Sequence, residues 1–245
     1  MTHKTPMLRS GGTIANAFAA LAGVAAATVA MTSAAMAADA AHPTVVELFQ
    51  SQGCSSCPPA NANVLALSSR PDLLTLSFQV TYWDQLGWKD TFAAPQYTAR
   101  QWEYARGFRH DRVWTPQVIV NGRTDVVGTR RGEVEGAIAR ADRGVSGPTV
   151  EVSGARASVS GIAGAHRADV WLVRYDPNIV QVAIRAGENG GRTLPHRNVV
   201  RELIRLGEWS GHAQSYALPP AKDGLKVAIL VQEGRGGPIV AAGRG

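Results

Sequence analysis

Apolar and β-branched residues come in short runs in the first part of the chain, and these runs predict two buried strands. The runs are residues 44–49 (TVVELF) and 73–80 (LLTLSFQV), and their length and β-branched content are typical of strands rather than helices. Between them, residues 61–67 combine good helix formers with an apolar face, which predicts a helix. Together these segments predict a β-α-β unit.

The next part of the chain continues this alternation. An aromatic-rich loop over 81–90 (TYWDQLGWKD) precedes a predicted helix over 92–108, which carries Pro95 in its first turn, where proline is tolerated. Three elements follow: a strand over 118–120, a returning strand over 124–127 after the hairpin signal Asn121-Gly122, and a helix over 129–142. The predicted order, β-α-β-α-β-β-α, is that of a complete thioredoxin-like fold.

Beyond a linker at 144–148 the pattern changes to short alternating segments separated by glycine. These predict strands over 149–152, 157–160, 168–175, 180–185 and 226–232. Their spacing favours a small β-sandwich or a sheet packed on the first domain, whereas residues 198–209 fit a helix or a strand equally well. We therefore predict an α/β protein with a thioredoxin-like N-terminal domain (39–147) and a C-terminal β-rich, sandwich-like domain (148–245).

The first 38 residues have the pattern of a secretory signal peptide. Lys4 and Arg9 precede an alanine-rich, weakly apolar run over 14–31, and Ala35-Met36-Ala37 offers small residues at a cleavage point. An uncleaved membrane anchor is the alternative, but so many Ala and Thr residues make a poor bilayer span. We expect a periplasmic or secreted protein with no stable membrane anchor after cleavage.

The charge balance gives little support for a polyanionic partner. The chain has a formal net charge of +6, and its densest basic cluster is the pair Arg130-Arg131. Such a distribution is typical of a solvated surface. We therefore expect no nucleic-acid partner.

Two cysteines, Cys54 and Cys57, stand at the predicted turn between the first strand and its helix. They are the only cysteines in the chain, and a C-x-x-C in a β-α-β pattern is typical of a thioredoxin-like redox site. A thiol at a helix N-terminus lies among unpaired N–H groups and at the positive end of the helix dipole, which stabilises its thiolate. Cys54 is therefore the predicted attacking thiolate, and Cys57 the resolving thiol.

Trp114, Thr115 and Pro116 immediately precede the third predicted strand. In a thioredoxin fold this position holds a cis-proline that faces the dithiol, and the backbone of the preceding residue pairs with an incoming substrate strand. We therefore place Pro116 in the predicted catalytic site, with Thr115 and Trp114 as substrate-binding residues. An ordinary trans-proline at the start of a strand is the alternative.

Glu47 is a carboxylate in the middle of an apolar strand, where burial of a charge is costly. In thioredoxins a buried acid beneath the dithiol helps to deprotonate the second cysteine, and Glu47 stands close to that place, so we predict a catalytic role. The alternative is that it points to solvent from an exposed strand face.

The aromatic and acidic cluster of the 81–90 loop is a second candidate for contact with a partner. It consists of Tyr82, Trp83, Asp84 and Trp88. We predict that Trp83 lines a substrate groove; core packing under the loop is the alternative.

Two further features carry predictions of their own. His110 could join the cysteines in a copper or zinc site, although a lone histidine is usually a surface or core residue. The glycine-rich segment 188–192 (ENGGR), followed by His196, lacks the spacing of a phosphate-binding motif and is predicted to form a β-turn.

Several segments resemble a known family. VVELFQSQGCSSCPPANANVLA, VTYWDQLGWKD, VWTPQVIVNGR and GENGGRTLPHRNVV resemble a family of exported bacterial proteins classed as a domain of unknown function, DUF1223, with thioredoxin-like N-terminal regions. The resemblance implies a thioredoxin-like fold and export, with no established substrate. It also implies that Cys54 is the nucleophile, Cys57 the resolving thiol and Pro116 the cis-proline. Unlike ordinary thioredoxin, no Trp precedes Cys54, and a whole β-region is added.

These features predict a thiol-disulfide oxidoreductase acting through Cys54 and Cys57. In an oxidising compartment the pair is expected to be a disulfide, and a bridge across two residues constrains the unfolded chain little, so redox chemistry or metal binding explains it better than stability. Its expected partners are protein thiols or disulfides, or a membrane redox partner, and we expect no cofactor. A periplasmic copper-binding chaperone and a non-catalytic thioredoxin-fold binding module are the alternatives.

Overall fold

The computed structural model describes Met1 and residues 37–162 and 167–245. The predicted signal peptide (1–38) lies almost entirely outside these described residues. Within the described ranges, no helix is both long and apolar enough to cross a membrane.

The first part of the structure has the element order that the sequence predicts. Its elements are β1 (Thr44–Gln50), α1 (Cys57–Leu67), β2 (Leu73–Gln79), α2 (Pro95–Gly107), β3 (Gln117–Val120), β4 (Thr124–Val126) and α3 (Arg131–Ala141). Strand β1 pairs in parallel with β2 and antiparallel with β3, and β3 pairs antiparallel with β4. The predicted order β-α-β-α-β-β-α is therefore confirmed, with α2 shorter at its start than expected.

The described residues of the second part, up to 162 and from 167, form nine strands. They are β5 (Val150–Ser153), β6 (Arg156–Val159), β7 (Ala168–Asp176), β8 (Val180–Ala183), β9 (Thr193–His196), β10 (Val199–Trp209), β11 (Gln214–Ala217), β12 (Lys226–Glu233) and β13 (Ile239–Arg244). The ambiguous segment 198–209 is therefore a strand. It pairs antiparallel with β7, with two register shifts along its length, and such a long-range partner overrides the helical spacing of its apolar residues.

One mixed sheet of eight strands runs through both parts, in the order β13-β12-β7-β10-β2-β1-β3-β4. The connection is a parallel pairing of β10 with β2, where Val199 faces Ser77. A second sheet, β11-β6-β5, shares a hydrophobic cluster with β7, β12 and β13. The protein is thus an α/β protein with a β-rich C-terminal part, as predicted. The domain boundary at 147/148 stays a prediction, since residues 37–245 belong to one compact unit, Ala35–Gly245.

The two faces of β1 bury different partners because successive side chains alternate across a strand. Val46 and Leu48 pack in a cluster with apolar residues of α1 and α3. Val45 and Phe49 pack on the other face, in a cluster with α2 and with strands of the C-terminal part. Helix α1, which begins at Cys57, therefore lies on the opposite face of the sheet from α2.

Candidate active site at the Cys54–Cys57 disulfide

Cys54 and Cys57 form a disulfide at the turn between β1 and α1, with their Cα atoms 5.4 Å apart. The turn is closed by hydrogen bonds from Cys54 N–H to the Ser51 carbonyl (3.2 Å) and from Cys57 N–H to the Cys54 carbonyl (3.1 Å). The exposed fraction of Cys54 is 0% and that of Cys57 is 1%, whereas Ser55 and Ser56 between them are exposed. The bridge itself is therefore shielded from solvent.

The start of α1 has few free backbone donors. Cys57 is its first residue, and Pro58 and Pro59 occupy the first turn. Proline is tolerated there because the first N–H groups of a helix have no partner within the helix, but it also removes those donors. The helix start therefore offers few backbone donors to a charge on Cys54. The Ser56 hydroxyl lies 3.3 Å from the Cys54 sulfur.

The loop over residues 81–94 supports the dithiol turn through Gln52. Trp88 Nε1 donates to Gln52 Oε1 (2.9 Å), and the Gln52 N–H donates to Asp90 Oδ2 (2.7 Å). Asp90 is 2% exposed, and burial raises its pKa to about 6, with the nearby Asp84 adding to the rise. Asp90 is thus a buried acid with a raised pKa. It is bound to Gln52, which is two residues before Cys54, so its charge contributes to the electrostatic field at the site.

Trp83 connects the dithiol turn to the residue before Pro116. Its indole Nε1 donates to Thr115 Oγ1 (2.7 Å), and its Cβ lies 3.7 Å from where a Cβ on Gly53 would be. The Thr115–Pro116 peptide bond is cis. Trp83 and Thr115, two of the predicted substrate-binding residues, are thus brought together beside the turn.

Trp114, the third predicted substrate-binding residue, is held by its backbone. Its carbonyl accepts a hydrogen bond from Gln101 Nε2 (2.7 Å), and its ring packs against His110 at 5.3 Å between centroids. The indole N–H of Trp114 has no hydrogen-bond partner among the residues that the structure describes. His110 itself lies 3.3 Å from Asp125.

Glu47 is 1% exposed, so the alternative that it points to solvent is wrong. Its side chain lies on the α2 face of β1, where Oε1 accepts a hydrogen bond from Arg100 Nε (2.7 Å) and Oε2 accepts one from the Tyr104 hydroxyl. Arg100 also donates to Gln232 of β12 (3.0 Å). These contacts tie the N-terminal and C-terminal parts together on the face opposite α1. They give no support to a proton-transfer role for Glu47 at Cys57, which stays a prediction.

A loop of the C-terminal part contacts the dithiol turn directly. We name residues 186–192 (AGENGGR) the cover loop. Glu188 Oε2 accepts hydrogen bonds from the Ser55 N–H (3.0 Å) and the Ser55 hydroxyl (2.6 Å), and these bonds lower the pKa of Glu188. Asn189, which is 0% exposed, donates through Nδ2 to the carbonyls of Gln52 (2.9 Å) and Cys54 (2.8 Å).

Neither residue is among the predicted site residues, since the segment 188–192 is predicted to form only a β-turn. The turn does form, with Gly190 N–H bonded to the Gly187 carbonyl and Arg192 N–H bonded to the Asn189 carbonyl. Its contacts are with residues far away in the sequence, so no local sequence pattern predicts them. The only available signal was the polar pair Glu188-Asn189 within the family-like segment GENGGRTLPHRNVV.

The strand that follows the cover loop packs on α1. Asn61 of α1 donates to the Pro195 carbonyl (2.5 Å) and accepts from Gln50 Nε2 (3.0 Å). The next residue, His196, is 1% exposed, and its two ring nitrogens have no hydrogen-bond partner among the described residues. Burial lowers the pKa of His196 to about 4, so this imidazole is neutral at physiological pH.

Within residues 37–162 and 167–245, no three His, Cys, Asp or Glu side chains are grouped so as to hold a metal ion. The groups that the site does offer are two sulfurs at a helix start, a neighbouring carboxylate and a set of backbone donors and acceptors. This chemistry suits formation and cleavage of the Cys54–Cys57 bond.

The fold and the site define an α/β protein with a Cys-x-x-Cys disulfide at the start of a helix. The model of a family described as a protein of unknown function (DUF1223) matches residues 45–232, which is more than half of the chain. The chain belongs to this family, as its sequence motifs predict.

Two solved structures resemble the protein. A crystal structure of a protein from Agrobacterium tumefaciens has 29% sequence identity and a TM-score of 0.71, and the match covers 84% of this chain and 94% of that one. HBP35 of Porphyromonas gingivalis has 12% identity and a TM-score of 0.56, covering 83% of this chain and 74% of that one, which shows a likeness of fold alone. The comparison with curated proteins finds no match.

Proposed function

We propose that this protein is a thiol-disulfide oxidoreductase that acts through Cys54 and Cys57. The observation that carries the proposal is the Cys54–Cys57 disulfide at the N-terminal end of α1, where a thiolate gains from the helix dipole and from nearby N–H groups. Trp83 and Thr115, which are hydrogen-bonded to each other beside this turn, are the proposed contacts for a partner polypeptide. Pro116 follows Thr115 and completes the proposed site.

The proposed reaction exchanges two electrons between the protein and a partner disulfide. The Cys54 thiolate attacks one partner sulfur, the partner S–S bond breaks, and the leaving thiolate takes up a proton. The Cys57 thiol then loses its proton and attacks the Cys54 sulfur, which releases the second partner thiolate. The partner disulfide has been reduced to a dithiol, and the protein has been oxidised to the observed disulfide. The reverse sequence of steps oxidises a partner dithiol.

We also propose where and with what the protein works. A disulfide of this kind is maintained in an oxidising compartment, in agreement with a periplasmic or secreted location after removal of the predicted signal peptide. The partners are proteins that carry thiols or disulfides, or a membrane redox protein that resets the dithiol.

Trapping of the mixed disulfide tests this proposal. The Cys57→Ala variant, expressed in intact cells and blocked by alkylation at lysis, should carry disulfide-linked adducts through Cys54 that disappear on reduction. The matched Cys54→Ala variant should carry none, because in the proposed reaction Cys54 attacks the partner and Cys57 attacks only the Cys54 sulfur. Absence of adducts from Cys57→Ala, with the variant folded and exported, would contradict the proposed function.

A further inference from the structure

The Cys54–Cys57 bridge is buried, which restricts the access of a partner protein to its sulfur atoms in the proposed reaction. Disulfide exchange requires a thiolate to reach one of the sulfur atoms, yet Cys54 is 0% exposed and Cys57 is 1% exposed. A protein partner is much larger than a water molecule, so some part of the surrounding structure must move before it can react. Two segments lie against the turn: the 81–94 loop and the cover loop.

The 81–94 loop is held firmly. Asp90 accepts backbone hydrogen bonds from Gln52 (2.7 Å) and from Phe92 (2.9 Å), and Trp88 and Trp83 make the side-chain hydrogen bonds described above. Tyr82 and Trp83 also pack against the main hydrophobic core. Displacing this loop would expose aromatic surface to water, at a cost that grows with the apolar area exposed.

The cover loop is held differently, by polar contacts. Its anchors are the two hydrogen bonds that Glu188 accepts from Ser55 and the two that Asn189 donates to the turn. Three of its seven residues are glycines, and Gly187 and Gly191 have φ values of +70° and +82°, which favour glycine. The loop carries no large apolar side chain, so its release mainly exchanges protein hydrogen bonds for bonds with water, each at a modest net cost.

The charge of Glu188 makes this contact sensitive to the redox state. In the oxidised protein its carboxylate binds the Ser55 N–H, one of the few donors left at a helix start that carries two prolines. A Cys54 thiolate, formed on reduction, places a second negative charge one residue away and competes for the same donor. Among the described residues, two other charged groups lie at the turn. Asp90 accepts a hydrogen bond from the Gln52 N–H and adds negative charge. Arg192 donates a hydrogen bond to Asn189 Oδ1 (2.8 Å).

We propose that the cover loop is a gate over the dithiol, held closed in the oxidised protein by Glu188 and Asn189, and that it must leave the turn before a protein partner can reach the sulfurs. Glu188 is a positioning residue in this proposal, since it acts on Cys54 through Ser55. The inference rests on the proposed oxidoreductase function and adds that the C-terminal part controls access to it.

The test compares a small and a large reductant acting on the oxidised, mature protein. The rate of bridge reduction is measured with dithiothreitol and with reduced thioredoxin, by alkylation of free thiols and mass analysis, for the wild type, Glu188→Ala, Glu188→Gln and Asn189→Ala. Glu151→Ala and Asn178→Ala, which change exposed residues in the C-terminal part, are the matched controls. Thermal unfolding of each variant reports whether it is folded.

We expect Glu188→Ala and Asn189→Ala to raise the rate with thioredoxin about threefold to tenfold, the size expected from loss of one or two hydrogen bonds that compete with water. The rate with dithiothreitol should rise less, because a small molecule needs a smaller opening. Glu188→Gln, which retains an acceptor for Ser55 but no charge, should lie between the wild type and Glu188→Ala. The two controls should match the wild type.

The outcomes separate the gate from the proposed function. In the first outcome, the wild type reacts with both reductants, and folded Glu188→Ala and Asn189→Ala have the same ratio of thioredoxin rate to dithiothreitol rate as the wild type. The gate is then wrong and the proposed function stands. If the wild type is inert and these variants react, the gate is supported and catalysis by the wild-type protein is contradicted. If no variant is reduced while folded, both proposals fail.

Discussion

Trp83 and Thr115 form a hydrogen bond across the candidate active site, with 2.7 Å between the indole Nε1 and the threonine Oγ1. Thr115 is the residue before the cis-proline, and Trp83 belongs to the loop that lies against the dithiol turn. The bond therefore fixes the position of the segment before Pro116 relative to the turn that carries Cys54.

We predict that Thr115→Val destabilises the protein by about 1 kcal/mol, because the half-buried indole N–H loses its acceptor. The measurement is urea unfolding of the wild type, Thr115→Val, Trp83→Phe and the double variant. The two substitutions should be coupled by about 1 kcal/mol, whereas additivity within about 0.3 kcal/mol would show that the bond contributes nothing.

The buried ion pair of Glu47 and Arg100 gives a larger effect on stability. Both side chains are at most 3% exposed, so Arg100→Met leaves a buried carboxylate without its cation and should cost about 3–5 kcal/mol in the free energy of unfolding. The Glu47→Gln/Arg100→Met double variant should recover much of this loss, because it removes both charges.

The matched control for this prediction is the exposed pair of Arg131 and Glu135 on α3, with 2.8 Å between Nε and Oε1. Arg131→Met should cost no more than about 0.5 kcal/mol, as is usual for exposed pairs one helical turn apart. Equal effects of Arg100→Met and Arg131→Met would contradict the assigned role of the buried pair.

Asp90 and His196 make opposite contributions to the pH dependence of stability. The pKa of His196 is lowered by burial to about 4, so the unfolded chain takes up a proton first and His196 costs stability as the pH falls from about 6.5 to 4. The pKa of Asp90 is raised by burial to about 6, so the folded protein takes up a proton first and Asp90 adds stability as the pH falls from about 6 to 4. Each effect amounts to about 3 kcal/mol, and in the wild type they largely cancel.

Single variants should reveal each contribution. Relative to the wild type, Asp90→Asn should lose about 3 kcal/mol of stability as the pH falls from about 6 to 4, and His196→Leu should gain about the same amount as the pH falls from about 6.5 to 4. Urea unfolding at several pH values measures both slopes. Parallel pH profiles for the wild type and the two variants would show that neither group is perturbed as described. The other carboxylates are the same in the wild type and the two variants, so their contribution to the pH dependence of stability cancels in the comparison.

The N-terminal part of the fold could be predicted from the sequence because its signals are local. The apolar run of β1, the cysteines before α1 and the Asn121-Gly122 turn each depend on neighbouring residues, and their order was enough to give the element sequence. The location of Glu47 was harder to predict, since its burial required a cation from α2. Arg100 is three residues after Tyr97 and four before Tyr104, on the buried face of α2. A charged side chain is almost never fully buried unless it is paired, and its partner Glu47 is 53 residues away in the sequence.

The C-terminal part depends on pairings between distant residues, and there the sequence was less informative. Strand β10 has apolar residues at helical spacing and is a strand because β7 pairs with it. The cover loop is a turn by its local sequence, but its effect on the site comes from contacts between Glu188 and Ser55, which are 133 residues apart. No periodic pattern in the sequence indicates such a contact.

The central claim is that Cys54 and Cys57 form a working redox couple. The most direct measurement equilibrates the purified mature protein across glutathione redox buffers and counts free thiols by mass after alkylation. We predict a reversible two-electron transition at a potential of roughly −180 to −260 mV, with the protein folded throughout. A bridge that stays oxidised at every ratio until the protein unfolds would contradict the claim.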